Sequence, residues 1–217
     1  MLFITIKQGK EKALLAGDPL IYASAVDKVE GKPNEKMKPG TTAVVQSSSR
    51  QFIARAAYNS HSQIRARVWT YDENEPVSHA LIKGRVQAAL ARTAAAADQA
   101  KPQQLVRRVD GDKDRLSGLI VESFGNAGAS GGGGYLICQF QAAGVEAWKV
   151  AIVQALMAGT GCSNVYERCD DLLRKGEGLP LVAGALAGDE PPDDVLVNDG
   201  GIAFLLDLRT GERRRMR

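Results

Sequence analysis

The stretch SRQFIARAAYNSHSQIRARVW, residues 49–69, decides the fold predicted for the first part of this chain. The half 51–58 alternates loosely, and the half 64–69 alternates more cleanly, with Ile64, Ala66 and Val68 against Arg65, Arg67 and Trp69. This period-two pattern is typical of a half-buried β-strand. The polar segment 59–62, Asn-Ser-His-Ser, separates the halves and predicts a turn. The stretch is therefore predicted to form a strand, a turn and a second strand.

The arginines of this hairpin suggest a binding surface. Arg65 and Arg67 are two residues apart, so we expect them on one face of the second strand. Arg55 comes from the first strand, and Tyr58 and Asn59 lie at the turn. Guanidinium groups beside an aromatic ring and an amide suit a phosphate backbone and a stacked base. The strand pattern fits equally well a solvated outer face of a small sheet, where arginine is ordinary.

The sequence before this hairpin adds more short strands. Strands are predicted at 2–7, 20–29 and 41–46, and the segment 31–40, rich in lysine and proline, is predicted to be a loop. Five or six short strands in about 70 residues without a long helix are typical of a small β-barrel. The spacing does not separate this barrel from others, such as an OB-fold.

Several segments resemble one family of methyltransferases. The segment 56–67, AAYNSHSQIRAR, resembles the signature GYYNPHSQIxxR of the bacterial enzymes that make 5-methylcytosine in large-subunit ribosomal RNA. The segments 7–19, 116–125 and 174–179 also resemble that family, the last of them (RKGEGL) its RxxEGL element. The resemblance extends to about residue 213. It implies an N-terminal PUA domain that binds RNA, a middle α+β domain, and a C-terminal Rossmann domain that binds S-adenosylmethionine.

The resemblance sets the domain organisation that we expect. The fold class is α+β, with a PUA-like RNA-binding barrel at 1–72 and a middle domain of antiparallel strands and two main helices at 73–190. Residues 191–217 are expected to form a hairpin and a basic tail, the truncated start of a methyltransferase domain. The rest of the Rossmann domain, with its nucleophilic cysteine, is expected to be absent from this chain. Whether the chain itself is an enzyme is therefore left open.

The residues after 72 predict further elements. Helices are predicted at 77–97, with Ser78 as the N-cap, and at 144–158, and a loosened hairpin turn at 126–134. A hairpin is predicted at 195–208, turning at Asp-Gly-Gly. Its apolar face, with Ile202, Phe204 and Leu206, is expected to be uncovered and to make the chain a homo-oligomer. The aspartates at 110, 112 and 114 do not match a calcium loop, because Arg115 stands where that loop needs glycine.

Charge is divided unevenly along the chain. Residues 1–70 hold eleven Lys and Arg against five Asp and Glu, whereas residues 71–217 hold seventeen against twenty. A basic N-terminal part points to a polyanion partner, which the resemblance identifies as large-subunit ribosomal RNA. No apolar run approaches the length of a membrane span, so no membrane partner is expected, and the expected location is the cytoplasm.

The chemistry expected of this chain is binding rather than catalysis. The candidate RNA-binding residues are basic, amide, hydroxyl and aromatic side chains of the first domain: Lys7, Lys10, Lys12, Arg50, Arg55, Tyr58, Asn59, Ser62, Arg65 and Arg67. No catalytic or cofactor-binding residue is assigned, because the resemblance implies that these residues lie in the part expected to be absent. No metal-binding residue is assigned, because the three scattered cysteines match neither a zinc site nor a disulfide framework. S-adenosylmethionine is expected only for the full-length family. The alternative is a non-enzymatic PUA-type accessory protein of ribosome assembly.

Overall fold

The computed structural model describes residues 1–125 and 134–215, and three β-sheets organise them. The strands of the first sheet are β1 Leu2–Ile6, β2 Leu20–Tyr22, β3 Val26–Glu30, β4 Thr41–Gln46, β5 Phe52–Tyr58 and β6 Ile64–Thr70. Their order in space is β2-β6-β5-β4-β1-β3, and β1 and β4 are parallel while the other neighbours are antiparallel. The helices α1 Lys12–Leu15 and α2 Pro33–Met37 lie in its connections. The predicted strand pair 51–58 and 64–69 is thereby confirmed.

Both faces of β5 are buried, which a half-buried strand pattern does not predict. Ala54, Ala56 and Tyr58 point into the core of the first sheet, together with Ile4 and Val45. Ala57 points the other way and belongs to the core of the next sheet, as does Trp69 of β6. The outer face of the hairpin is therefore covered by protein over part of its length.

The second sheet has five strands in the spatial order β11-β10-β9-β8-β7. Its strands are β7 Leu105–Asp110, β8 Leu119–Phe124, β9 Tyr135–Phe140, β10 Val165–Glu167 and β11 Gly184–Ala187. Its helices are α3 His79–Arg92, α4 Ala94–Gln99, α5 Ala143–Ala147, α6 Lys149–Thr160 and α7 Asp171–Gly176. The strands β9 and β10 are parallel, because α5 and α6 return the chain across the sheet between them. The two main helices, α3 and α6, pack on each other through Ile82, Val86, Leu90, Ile152 and Leu156.

The third sheet covers the opposite face of the second. Its strands are β12 Val195–Asp199, β13 Ile202–Leu206 and β14 Arg213–Arg215, and Gly200 and Gly201 turn the hairpin with φ of 59° and 88°. Phe204 and Leu206 are buried against residues of the second sheet that include Ile137. The expectation of an uncovered apolar face is therefore wrong for these two side chains, whereas Ile202, 70% exposed, does remain in solvent. Residues 213–215 of the predicted basic tail form the strand β14, which pairs with β13.

Several predicted elements differ in detail from those in the structure. The helix predicted at 77–97 is interrupted at Thr93 and forms α3 and α4, with Ser78 confirmed as the N-cap because its hydroxyl accepts the amide of Leu81. The strand predicted at 20–29 is broken by a 3-10 turn at Ala23–Ala25. The loop at 31–40 contains α2, which begins at a proline, a favoured first residue of a helix. Residues 126–133 of the predicted loop lie outside the described residues.

Candidate nucleic-acid interface

The turn that carries the predicted binding residues is buried rather than exposed. Tyr58, Asn59 and Ser62 are 6%, 3% and 4% exposed. Tyr58 lies on the same side of β5 as Ala54 and Ala56, so its ring is part of the core of the first sheet. The interpretation of Tyr58 as a ring that stacks on a base is therefore wrong in this structure.

Asn59, Ser62 and Arg67 converge on one carboxylate, that of Glu177 just after α7. Asn59 Nδ2 donates to Glu177 Oε2 at 3.0 Å and to its carbonyl oxygen at 2.8 Å. Ser62 Oγ donates to Glu177 Oε1 at 2.8 Å, and Arg67 Nη2 donates to the same oxygen at 3.2 Å. The amide of Ala143, the first residue of α5, donates to Oε2 at 3.3 Å. The signature and the start of α5 therefore share one buried acceptor.

The three arginines of the hairpin do not form a parallel row. Arg67 Nη1 donates to Ser117 Oγ at 3.0 Å, in addition to its contact with Glu177, and its side chain is 18% exposed. Arg65 donates to the carbonyl of Ser60, and Arg55 donates to that of Glu73 at 2.9 Å. Each guanidinium is therefore directed to a different partner within the chain. Arg55 and Arg65 remain partly exposed.

The lysines predicted to bind RNA are exposed, and one of them, Lys7, lies near an aromatic ring that the sequence pattern did not single out. Lys7, Lys10 and Lys12 are exposed in the segment that follows β1, and Lys7 Nζ donates to the carbonyl of Ser24 at 3.0 Å. Tyr22, two residues before Ser24, is 49% exposed. Its partner across the ladder is Ile64, the neighbour of Arg65.

The 3-10 turn at Ala23–Ala25 connects Lys7 with the segment just before β6. The amide of Lys7 donates to the carbonyl of Ala25, and the amide of Ala23 donates to that of Gln63, both at 2.9 Å. The turn thus bridges the end of β1 and the start of β6. We call the set Lys7, Lys10, Lys12, Tyr22 and Arg65 the lysine–tyrosine edge.

The lysine–tyrosine edge does not include every exposed basic residue that was predicted to bind RNA. Arg50 is also exposed, but it lies apart, in the turn between β4 and β5. The alternation of β2, with Ile21 buried, is the sequence signal that places Tyr22 on the outer face. The edge therefore takes in four of the predicted residues and adds one aromatic ring.

The cysteines of the described residues are unsuited to nucleophilic attack. Cys138 and Cys162 are buried at 0% and 2% exposure. Burial raises the pKa of both thiols, and the carboxylate of Glu167 raises the pKa of Cys138 further. Burial and the neighbouring Asp171 also raise the pKa of Cys169. The thiol form, which is not the nucleophile, is favoured at all three positions.

Within residues 1–125 and 134–215 no group of three or more His, Cys, Asp or Glu is arranged to hold a metal ion. The helices of the same ranges are all too short or too polar to cross a bilayer. Among the aspartates at 110, 112 and 114, Asp114 binds protein groups. Its carboxylate accepts hydrogen bonds from Arg92 at 2.7 and 2.9 Å and from the amide of Asp110 at 2.7 Å.

The fold and a family match define the N-terminal part as a PUA-like domain. Residues 4–71 match the family model described as a PUA-like domain. The fold class, α+β with a PUA-like N-terminal domain, is confirmed. The boundaries predicted at 72 and 190 fall between the sheets, and the division into domains stays a prediction.

Nearly the whole chain is similar to ribosomal RNA methyltransferases. It is 33% identical over 210 residues to "Ribosomal RNA large subunit methyltransferase I" of Pseudoalteromonas translucida, covering 97% of this chain and 50% of that protein. The protein of the same name from Cronobacter sakazakii gives the same identity and coverage. The chain spans about half the length of the curated relatives it matches.

Solved structures with the same fold are methyltransferases by their descriptions. A putative SAM-dependent methyltransferase from Streptococcus mutans superposes with a TM-score of 0.75 at 15% identity, over 98% of this chain and 50% of that one. A putative methyltransferase complexed with SAH superposes with a TM-score of 0.74 at 16% identity, over the same shares. At this identity the likeness shows the fold alone.

Proposed function

We propose that this chain is the RNA-binding portion of an S-adenosylmethionine-dependent methyltransferase that modifies cytosine in large-subunit ribosomal RNA. The observation that carries the proposal is the similarity to large-subunit rRNA methyltransferases over 97% of the chain. The PUA-like domain at 4–71 and the excess of basic residues in the first 70 support the same conclusion.

The lysine–tyrosine edge is the surface that we assign to RNA. Its three lysines are exposed and supply positive charge for phosphates, and Arg65 is partly exposed near the start of β6. Tyr22 supplies a half-exposed ring on which an unpaired base can stack. Four residues are excluded from this surface by burial or by their contacts with Glu177 or the core: Tyr58, Asn59, Ser62 and Arg67.

The residues that the structure describes do not fit S-adenosylmethionine. None of the described strands is followed by a G-x-G-x-x-G turn and a helix, the unit that would cradle the nucleotide part of a cofactor. The strand β9 leads into α5 through Gln141 and Ala142, without glycine. No step of methyl transfer is assigned to residues of this chain.

A binding titration at several salt concentrations tests the proposal. Each phosphate contact releases condensed counterions, so affinity for a structured large-subunit rRNA fragment is expected to fall as salt rises. Replacing Lys7, Lys10 and Lys12 by alanine is expected to flatten the log–log slope by about 0.7–0.9 for each phosphate that these lysines neutralise. The control is the triple alanine variant of Lys83, Lys101 and Lys175, which are exposed elsewhere.

Two results would contradict the proposal. One is an absence of RNA binding by the unmodified chain at low salt. The other is an equal decrease of the salt slope in the control variant, which would mean that RNA is attracted by the overall positive charge and not by a defined surface.

A further inference from the structure

We infer that Glu177 is a positioning residue that fixes the first sheet against the second, and that Asn59, Ser62 and Arg67 of the signature bind this carboxylate instead of RNA. The signature and the element 174–179 are then the two halves of one internal interface. The part of the inference that concerns RNA affinity rests on the proposed function. The part that concerns the orientation of the sheets does not.

The hydrogen bonds supply the first argument. Glu177 is 5% exposed, and its two carboxylate oxygens accept four hydrogen bonds. The donors come from the turn at 59–62, from β6 and from the start of α5, so the carboxylate ties the first sheet to two elements of the second. A buried carboxylate is tolerated only when it is paired and hydrogen-bonded, and these donors meet that requirement.

Glycines at the same interface supply an independent argument. A Cβ added to Gly178 would lie 2.8 Å from Cβ of His61, and one added to Gly144 would lie 2.7 Å from Cβ of Ala57. These distances are too short for real side chains, so the two sheets approach each other where only glycine fits. A side chain at either position would push the two sheets apart.

Arg67 shows why the signature is unavailable to a phosphate. Its guanidinium donates to Glu177 on the second sheet and to Ser117 on the loop before β8. A phosphate at Arg67 would have to displace Glu177, which would leave a buried carboxylate short of a donor. By contrast, Arg65 donates to a carbonyl of its own turn and lies beside the ladder partner of Tyr22.

Distance measurements between spin labels test the orientation directly. Labels are placed at Leu15 on α1 and Val150 on α6, which are 69% and 71% exposed, in a background with Cys169 replaced by serine. The variants Glu177→Gln and Asn59→Ala are expected to broaden the distance distribution between the labels. Glu190→Ala, at an exposed acidic residue, is the matched control and is expected to leave the distribution unchanged.

RNA binding separates positioning from direct contact. Arg67→Ala is expected to weaken binding about three- to tenfold with an unchanged salt slope, whereas removal of a phosphate contact would flatten that slope by about 0.7–0.9. The effects of Asn59→Ala and Glu177→Gln are expected to be less than additive, because both remove the same interaction. A thermal melt accompanies each variant, and Ser62→Ala replaces any variant that does not fold.

The outcomes distinguish this inference from the proposed function. An unchanged label distribution in both Glu177→Gln and Asn59→Ala, or a flattened salt slope in Arg67→Ala, would overturn the inference. Failure of the unmodified chain to bind RNA, together with broadened distributions in the variants, would overturn the proposed function and leave Glu177 as the positioning residue.

Discussion

Replacement of Tyr22 by alanine is the change that most clearly separates the surface seen in the structure from the one expected from sequence. Tyr22 is 49% exposed, whereas Tyr58, the tyrosine of the signature, is 6% exposed. A tyrosine offers about 200 Å² in total, so roughly 100 Å² of Tyr22 is free to contact a base. At about 25 cal/mol per Å² this area corresponds to about 2.5 kcal/mol, within the range of about 1–3 kcal/mol measured for stacked bases.

Loss of the ring is therefore expected to lower RNA affinity at Tyr22 and folding stability at Tyr58. Tyr22→Ala is expected to weaken binding to a single-stranded or bulged rRNA fragment by about 1–3 kcal/mol without changing the salt slope, because stacking involves no counterion. The stability of the chain is expected to change by less than about 1 kcal/mol. Tyr58→Ala removes a ring from the core and is expected to cost about 3–5 kcal/mol of stability.

The assay is a fluorescence anisotropy titration at several salt concentrations, with a urea melt of each variant. Tyr22→Phe is the control, because it keeps the ring and is expected to keep most of the affinity. An unchanged affinity in Tyr22→Ala, or a weaker affinity in Tyr58→Ala while that variant remains fully folded, would refute the assignment of the stacking surface.

Single sites elsewhere in the chain give three more expectations. Arg115 has a φ of 54°, a conformation that costs most residues about 1–2 kcal/mol and glycine almost nothing. The greater entropy of glycine in the unfolded chain offsets part of this, so Arg115→Gly is expected to raise the free energy of unfolding by about 0.5–1 kcal/mol, seen as a higher melting temperature in a calorimetric scan. Burial raises the pKa of the Cys138 thiol above its unfolded value of about 8.5. The stability that comes from keeping this thiol protonated is therefore complete below about pH 8.5 and is lost as the pH rises. In urea melts above about pH 9, the free energy of unfolding is expected to fall more steeply with pH in the parent than in Cys138→Ala. Calorimetry is expected to detect no S-adenosylmethionine binding, because none of the described strands leads through a glycine-rich turn into a helix, and stoichiometric binding near micromolar affinity would contradict this.

The strands of the first sheet follow from local pattern, but the use of their faces does not. The alternation in 51–58 and 64–69 predicts both strands and the inward side chains Ala54, Ala56 and Ala66 correctly. Nothing within the hairpin indicates that Ala57 and Trp69 contact the second sheet, because that contact depends on α5, more than seventy residues away. From the local pattern alone, the arginines of the hairpin are therefore predicted to face solvent.

The candidate site shows the same division between local and distant information. The lysines after β1 are exposed, as the sequence predicts, because lysine is almost never fully buried unless it is paired. Tyr22 is hard to single out because 20–29 has the pattern of one strand, whereas the 3-10 turn at Ala23–Ala25 ends β2 and brings Lys7 close. The segment 174–179 resembles a family element without an evident role, and its role in the interface appears only when Glu177 is placed beside Asn59.

Ultraviolet cross-linking of the chain to a large-subunit rRNA fragment, followed by mass spectrometry of the cross-linked peptides, tests the central claim most directly. Aromatic side chains stacked on a base are favoured sites of such cross-links. The account predicts cross-links in the segment 7–24, centred on Tyr22, and their disappearance in Tyr22→Ala. Cross-links confined to residues 58–69, or an absence of cross-links specific to the rRNA fragment, would contradict it.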